Sequence, residues 1–304
     1  MKIISPHSFY SCAAHDEVLA QWNKRSGANT PLVLDLSSAA YIDPYGIVAL
    51  TLFLNHLPAS ALPATLILDG FPPSGKRDAP SENEVVNTMT RMGFWEEVGA
   101  KLDISEKRLP VRPQWSDDNG VLIDITVLHG RDAINVMLRK TGEILQSLKF
   151  SPIGRGHVME VLSELSSNVL DHAKSDFGGV VATQTYRSMR SGTRYLVMSI
   201  GDMGIGVRAS IAGNEKLQGR LDSDGQALGI AVQSGNSRFE TGGRGGGLPR
   251  VIEIARRYGG SVALRSGTGA LAFKGESEER RVFDTAPQVG TQLRIMLPEN
   301  RLVE

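Results

Sequence analysis

The sequence predicts an α/β protein in two parts. Three observations carry this. The chain of 304 residues is long enough for about two domains. Short apolar runs alternate with helix-period segments on both sides of its middle. Between them Pro110, Pro113 and Asp117-Asp118-Asn119-Gly120 break the pattern. The expected division is residues 1–110, a linker at 111–120, and residues 121–304.

In the first part, Pro31-Leu32-Val33-Leu34-Asp35-Leu36 reads as a buried strand, and Thr65-Leu66-Ile67-Leu68 as another. Asp43-Pro44-Tyr45-Gly46 opens a helix with an apolar core at 47–54. Asp43 fits the N-cap, where a side-chain oxygen accepts from the first free N–H groups. A further helix is expected over residues 82–98.

In the second part, a strand at 121–128 and a helix at 132–148 lead to Glu164, Asn168 and His172. Residues four apart share one helix face, so the three stack opposite a stripe of Val158, Val161, Leu162, Leu165 and Val169. A carboxylate and an amide oxygen together suit Mg²⁺, which keeps several waters and shares its shell with substrate phosphates. Glu164 could then act as a base. The alternative is a solvated polar face.

A buried strand at 195–200 precedes Asp202, Gly204 and Gly206. A carboxylate just past a strand end can accept from an adenine amino group, and glycines let backbone approach a ligand. An Asp capping its own turn is the alternative. Next come five glycines in the six residues 242–247, then the apolar-periodic segment 248–258 with Pro249 in its first turn. A glycine-rich loop that opens a helix directs unpaired N–H groups at one spot and suits phosphate. Arg244 and Arg250 add positive charge, though neither is assigned a ligand; a flexible linker is the alternative.

Order gives these clusters their weight. The motifs Glu164-x-x-x-Asn168-x-x-x-His172, Asp202-x-Gly204-x-Gly206, Gly243-x-Gly245-x-Gly247-Leu248 and Gly290-Thr291 follow one another as in the GHKL ATPases. The chain from about residue 121 resembles that superfamily, which includes DNA gyrase, histidine kinases, a heat-shock chaperone ATPase and a mismatch-repair ATPase. The resemblance implies an α/β sandwich with helices on one face of a mixed sheet, binding ATP and Mg²⁺. It implies that Asn168 binds the metal, Asp202 contacts adenine, and Gly204 and Gly206 line the base pocket. Gly243, Gly245, Gly246, Gly247 and Leu248 would belong to a lid over the phosphates, and Thr291 would support the adenine end. Glu164 matches the base of the hydrolysing branches, and His172 matches a residue of the anti-sigma-factor serine-kinase branch.

Residues 1–110 resemble the STAS fold of anti-sigma-factor antagonists, chiefly through the segment from Leu32 to Gly46. In that family a phosphorylated Ser or Thr follows the residue equivalent to Asp43. Here Pro44 stands there and has no hydroxyl, leaving Tyr45 or Ser37 as substitutes. A generic α/β domain with an N-capped helix is the alternative.

Two other motifs point elsewhere. Gly70-Phe71-Pro72-Pro73-Ser74-Gly75-Lys76 begins like a P-loop, but Arg77 replaces the metal-binding hydroxyl and two prolines remove N–H donors. Gly204-Ile205-Gly206-Val207-Arg208-Ala209 resembles a dinucleotide fingerprint, with Asp222 and Asp224 near the acidic position. A crossover helix and a strand should follow, and the polar stretch 212–225 does not offer them.

The 33 acidic and 33 Lys/Arg residues balance, so no nucleic-acid or anionic-membrane partner is expected. No apolar run spans a bilayer, the start lacks a signal-peptide core, and a cytoplasmic location is expected. Cys12 is the only cysteine, which excludes an internal disulfide. The loop at 212–235 lies between base pocket and lid and is a candidate to order on nucleotide binding; a second loop is expected at 275–279.

The leading expectation is an ATP/Mg²⁺-binding regulatory protein in which lid closure controls a protein partner and hydrolysis is slow. The close alternative is a Ser/Thr kinase of the anti-sigma type that phosphorylates a partner. A histidine kinase ranks below, because His157 opens the helix that carries the metal ligands, and an NAD-dependent oxidoreductase is weaker still. Family members often dimerise, so a homodimer is open to this chain.

Overall fold

The computed structural model describes residues 1–24, 30–69, 83–103, 121–147, 150–172, 177–188, 192–214, 217, 220–233, 247–275 and 280–303. The lid residues Gly243, Gly245 and Gly246, Arg244, the P-loop-like segment, the expected linker, most of the loop at 275–279 and part of that at 212–235 lie outside the described residues.

The protein is α/β. Its first elements are β1 (Lys2–Ile4), β2 (Phe9–Tyr10), α1 (Cys12–Asn23), β3 (Val33–Asp35), β4 (Tyr41–Ile42), α2 (Pro44–His56), β5 (Thr65–Ile67), α3 (Glu84–Arg91) and α4 (Phe94–Val98). β1, β3 and β5 form a parallel sheet in the order β1-β3-β5, and β2 pairs with β4. α2 begins as its sequence dictates: Asp43 accepts from the Gly46 N–H, and Pro44 occupies the first turn. The helix expected over 82–98 is instead two. Asn83 caps α3 through Val85 and Val86, and Gly93, at a left-handed φ of 75°, turns the chain into α4.

The remaining elements are β6 (Val121–Leu128), α5 (Arg131–Ser147), α6 (Pro152–His172), β7 (Gly179–Arg187), β8 (Arg194–Asp202), α7 (Gly206–Ile211), α8 (Asp224–Ala231), α9 (Gly247–Arg257), β9 (Ser261–Lys274), β10 (Arg281–Pro298) and α10 (Glu299–Leu302). One five-stranded sheet runs β6-β7-β8-β10-β9, and every pairing in it is antiparallel, which refines the mixed sheet expected.

Both faces of this sheet are covered. Val181, Leu196, Ile200, Leu293 and Ile295 pack into a core with Val158, Val161, Leu162 and Leu165 of α6 and Val251 and Ile254 of α9. Val180 and Ala182 point the other way, into a second core with Val18 of α1 and Val48 and Leu52 of α2. Strand alternation thus sends neighbours into different cores, and β7 reads as almost uniformly buried because neither face meets water. Each fully buried Leu or Val contributes about 1.5–3 kcal/mol, so the face under α1 and α2 is stabilised much as a domain interior is.

Polar contacts fix the register of that docking. The Gln292 amide on β10 donates to the Tyr45 carbonyl at 2.9 Å, and Asp16 of α1 pairs with Arg265 of β9 at 2.8 Å. Gly201 lies so near α2 that a Cβ there would sit 2.7 Å from the Leu52 side chain.

Candidate functional site

α6 carries Glu164, Asn168 and His172 on one face, as the spacing requires. Glu164 is exposed and Asn168 half-buried, while Val158, Val161, Leu162, Leu165 and Val169 on the other side are buried. His172 is the last residue of the helix; its side chain lies outside the described residues.

The first residue of α9 closes over this face. A Cβ built on Gly247 would lie 3.0 Å from Glu164 Oε2 and 3.1 Å from Asn168 Nδ2. The end of the glycine-rich segment therefore meets the carboxylate and amide of α6, which a merely solvated polar face would not require. Leu248 is partly buried against the adjoining core. Arg250 is committed elsewhere: its guanidinium donates to both oxygens of Glu160 at 2.6 and 3.1 Å, and it pairs with Glu253 at 2.8 Å.

Asp202 marks the other end. It is the last residue of β8 rather than just past it, and it pairs in register with Gly179 of β7. Gly179 in turn lies under α6: a Cβ there would meet Val169 Cγ1 at 2.6 Å. The residue next to Asn168 thus sits above the strand pair that ends in Asp202, which brings the two motifs to the same end of β7 and β8.

The Asp202 carboxylate is buried. It accepts from the Gly204 N–H at 2.8 Å and from the Thr291 backbone N–H. Burial pushes its pKa up to about 6, and these two bonds hold it from rising further. The turn needs glycine at Gly206 and Gly290, both with φ of 76°. A Cβ at Gly290 would come within 2.0 Å of the Asp202 carbonyl oxygen. Two register irregularities in β10 precede Thr291 and deliver this strand to the carboxylate.

Sequence reasoning missed Ser266 of β9. Its hydroxyl accepts from the Val207 N–H at 2.9 Å, donates to the Gly290 carbonyl at 3.0 Å, and lies 3.3 Å from Thr291 Oγ1. It ties the start of α7 to β10. The one signal was a hydroxyl residue followed by glycine in a strand of mixed composition, and that does not announce a partner far along the chain.

His157 Nδ1 is hydrogen-bonded to Tyr258 Oη at 2.7 Å within the first turns of α6. After Gly206 the chain makes a helix of six residues, and the next described strand is β9, so the crossover of a dinucleotide fold does not follow. Among the described residues no group of three or more His, Cys, Asp or Glu side chains could hold a metal, and no helix is long and apolar enough to cross a membrane.

A family model described as histidine kinase-, DNA gyrase B- and HSP90-like ATPase matches residues 154–301. The match runs from α6 to α10 and takes in all the candidate residues. It supports ATP binding, with a regulatory or kinase-like function in general. A search of curated proteins found no match.

Proposed function

We propose that the segment matching the histidine kinase-, gyrase- and HSP90-like ATPases binds ATP with Mg²⁺ and works as a switch. Nucleotide binding and closure of the glycine-rich segment control a protein partner, and hydrolysis is slow. The observation that carries this is the convergence of two motifs at the same end of β7 and β8. Asp202, a buried acceptor steadied by Gly204 and Thr291, is suited to an adenine amino group. Gly247 against Glu164 and Asn168 is suited to the phosphates.

The residues fit the metal as well as the base. Asn168 supplies one oxygen ligand, and the remaining positions fall to water and phosphate oxygens, the usual shell of Mg²⁺ in phosphoryl sites. When bound, Mg²⁺ neutralises phosphate charge. In this reading Glu164 orients or deprotonates a water or hydroxyl, and the lack of side chains at Gly206 and Gly290 leaves room for the base.

The N-terminal part, taken as a STAS-like domain over residues 1–110, is assigned a docking or sensing role. Its β3-β4-α2 segment with Asp43 at the cap supports the family reading. Pro44 removes the usual acceptor, and the substitutes are poor. Tyr45 is buried under β10, and the Ser37 hydroxyl is engaged by Asp35 at 2.7 Å. The segment that a cognate kinase would modify is therefore occupied by the sheet of the same chain. A division near residues 111–120 is part of this reading, although the core under α1 and α2 also takes in Val180 and Ala182 of β7.

The second reading is a Ser/Thr kinase of the anti-sigma-factor type, favoured by the order Glu164, Asn168, His172. Incubation with ATP labelled in the γ-phosphate and Mg²⁺, with and without cell extract, separates the two. Label released only as phosphate supports the switch; label on a second protein supports the kinase. Absence of ATP binding would end both.

A further inference from the structure

The helix that anchors the glycine-rich segment is clamped to α6 near its start by Arg250, and at its far end Tyr258 meets His157. Arg250 lies three residues after Gly247 on α9, and Glu160 lies four before Glu164 on α6. Each is one turn from the place where Gly247 meets Glu164 and Asn168. Arg250 Nε donates to Glu160 Oε1 at 2.6 Å and Nη2 to Oε2 at 3.1 Å, the two-pronged geometry that fixes orientation as well as distance. A third contact, Arg250 to Glu253 at 2.8 Å, aligns the guanidinium along its own helix.

The clamp matters because the clearance beside it is small. With Gly247 so close that a Cβ would lie 3.0 Å from Glu164 Oε2 and 3.1 Å from Asn168 Nδ2, a small slide of α9 along α6 changes that approach. The apolar contacts of Val251 and Ile254 hold the two helices together but tolerate sliding better than a planar two-bond fork does.

We propose that Arg250 is a positioning residue: its fork onto Glu160 sets the register in which the base of the glycine-rich segment meets Glu164 and Asn168, and so sets the preference for a triphosphate over a diphosphate. This rests on the ATP reading above. The Arg250 guanidinium is engaged by Glu160 and Glu253. Its effect passes through Gly247 to the phosphate end and leaves the Asp202 end alone.

The test measures Kd for ATP with Mg²⁺ and for ADP with Mg²⁺ on the full chain, in wild type, Arg250→Ala, Glu160→Ala and the double variant, with Tm recorded for each. The expected result is a loss of ATP-over-ADP preference of about tenfold in either single variant, with ADP affinity unchanged. The double variant should lose no more than one single variant, because the second change removes nothing further. Arg250→Lys, which keeps the charge but not the fork, should retain only part of the preference. An unchanged ratio in Arg250→Ala would overturn the inference, as would equal loss of ATP and ADP affinity. A wild-type chain that binds neither nucleotide would remove the ATP reading itself. A wild type that binds both without preference would leave that reading standing and overturn this one.

Discussion

Asp43 and Arg294 lie 251 residues apart in the chain and form a 2.7 Å ion pair between the cap of α2 and β10. The carboxylate is fully buried and has three duties. One oxygen takes the Gly46 N–H, and the other takes both Ser11 Oγ at 2.8 Å and Arg294. A buried pair adds little net stability, but removing one partner strands the other in a medium of low dielectric. Arg294→Met should therefore cost about 3–5 kcal/mol in urea denaturation, and adding Asp43→Asn should recover part of it. Equal stability of Arg294→Met and wild type would show that α2 is not secured to β10 by this pair.

Gly290 permits a sharper test of the adenine end. Its φ of 76° disfavours any side chain, and an added Cβ would lie 2.0 Å from the Asp202 carbonyl oxygen. Gly290→Ala is expected to lose roughly 1–3 kcal/mol from backbone strain, and more from displacing β10, with nucleotide affinity falling in parallel. Gly247→Ala should behave differently. Its Cβ would press on the ends of two flexible side chains, so Tm should stay near wild type while the affinity for ATP with Mg²⁺ drops. Calorimetric binding and thermal melts on the two variants check this contrast.

Much of this was legible in the chain and some was not. The cap at Asp43, the face shared by Glu164 and Asn168, and the start of α9 rest on local rules of spacing and capping, which a sequence displays. The break at Gly93 was equally local, but its apolar flanks masked it within one helix-like run. Ser266, the Arg250–Glu160 fork and the docking of α1 and α2 on the back of the sheet depend on pairings between distant segments. The resemblance implied a mixed sheet, and the all-antiparallel pairing depends on contacts between distant strands that no local pattern displays.

Asp202 gives a prediction whose sign is fixed by its environment. Burial raises its folded pKa from 3.8 to about 6, so the folded state binds more protons than the unfolded one between those values. Stability from this group is therefore greatest at low pH and declines as pH rises through about 6, with a slope of at most about 1.4 kcal/mol per pH unit. Asp202→Asn keeps the shape and an acceptor oxygen without the charge. It should be more stable than wild type at pH 7, with the advantage shrinking toward pH 4.5 (roughly 1–3 kcal/mol at most). Wild-type nucleotide affinity should fall as pH drops below about 6, where the carboxylate takes up its proton. Denaturation curves and binding isotherms at several pH values read both trends; a variant less stable than wild type at pH 7 would contradict the burial argument.

The two polar residues of α6 should separate by what they lose. Asn168 is half-buried against Gly247 and offers the amide oxygen proposed for Mg²⁺, whereas Glu164 is exposed and adjoins the same glycine. Asn168→Ala removes a ligand but leaves the Asp202 end intact. ATP affinity in the presence of Mg²⁺ should fall about 10–100-fold, and affinity with the metal chelated should hardly move. Glu164→Gln retains size and hydrogen bonding but cannot accept a proton, so binding should persist while phosphate release drops about 10²–10⁴-fold. Reading both variants in the same two assays matters, because a general loss of folding would lower every value together. If Asn168→Ala bound ATP with Mg²⁺ as well as wild type, the metal would have to be held elsewhere and the face of α6 would be structural. If Glu164→Gln released phosphate at the wild-type rate, the water or hydroxyl would have to be activated by a different group.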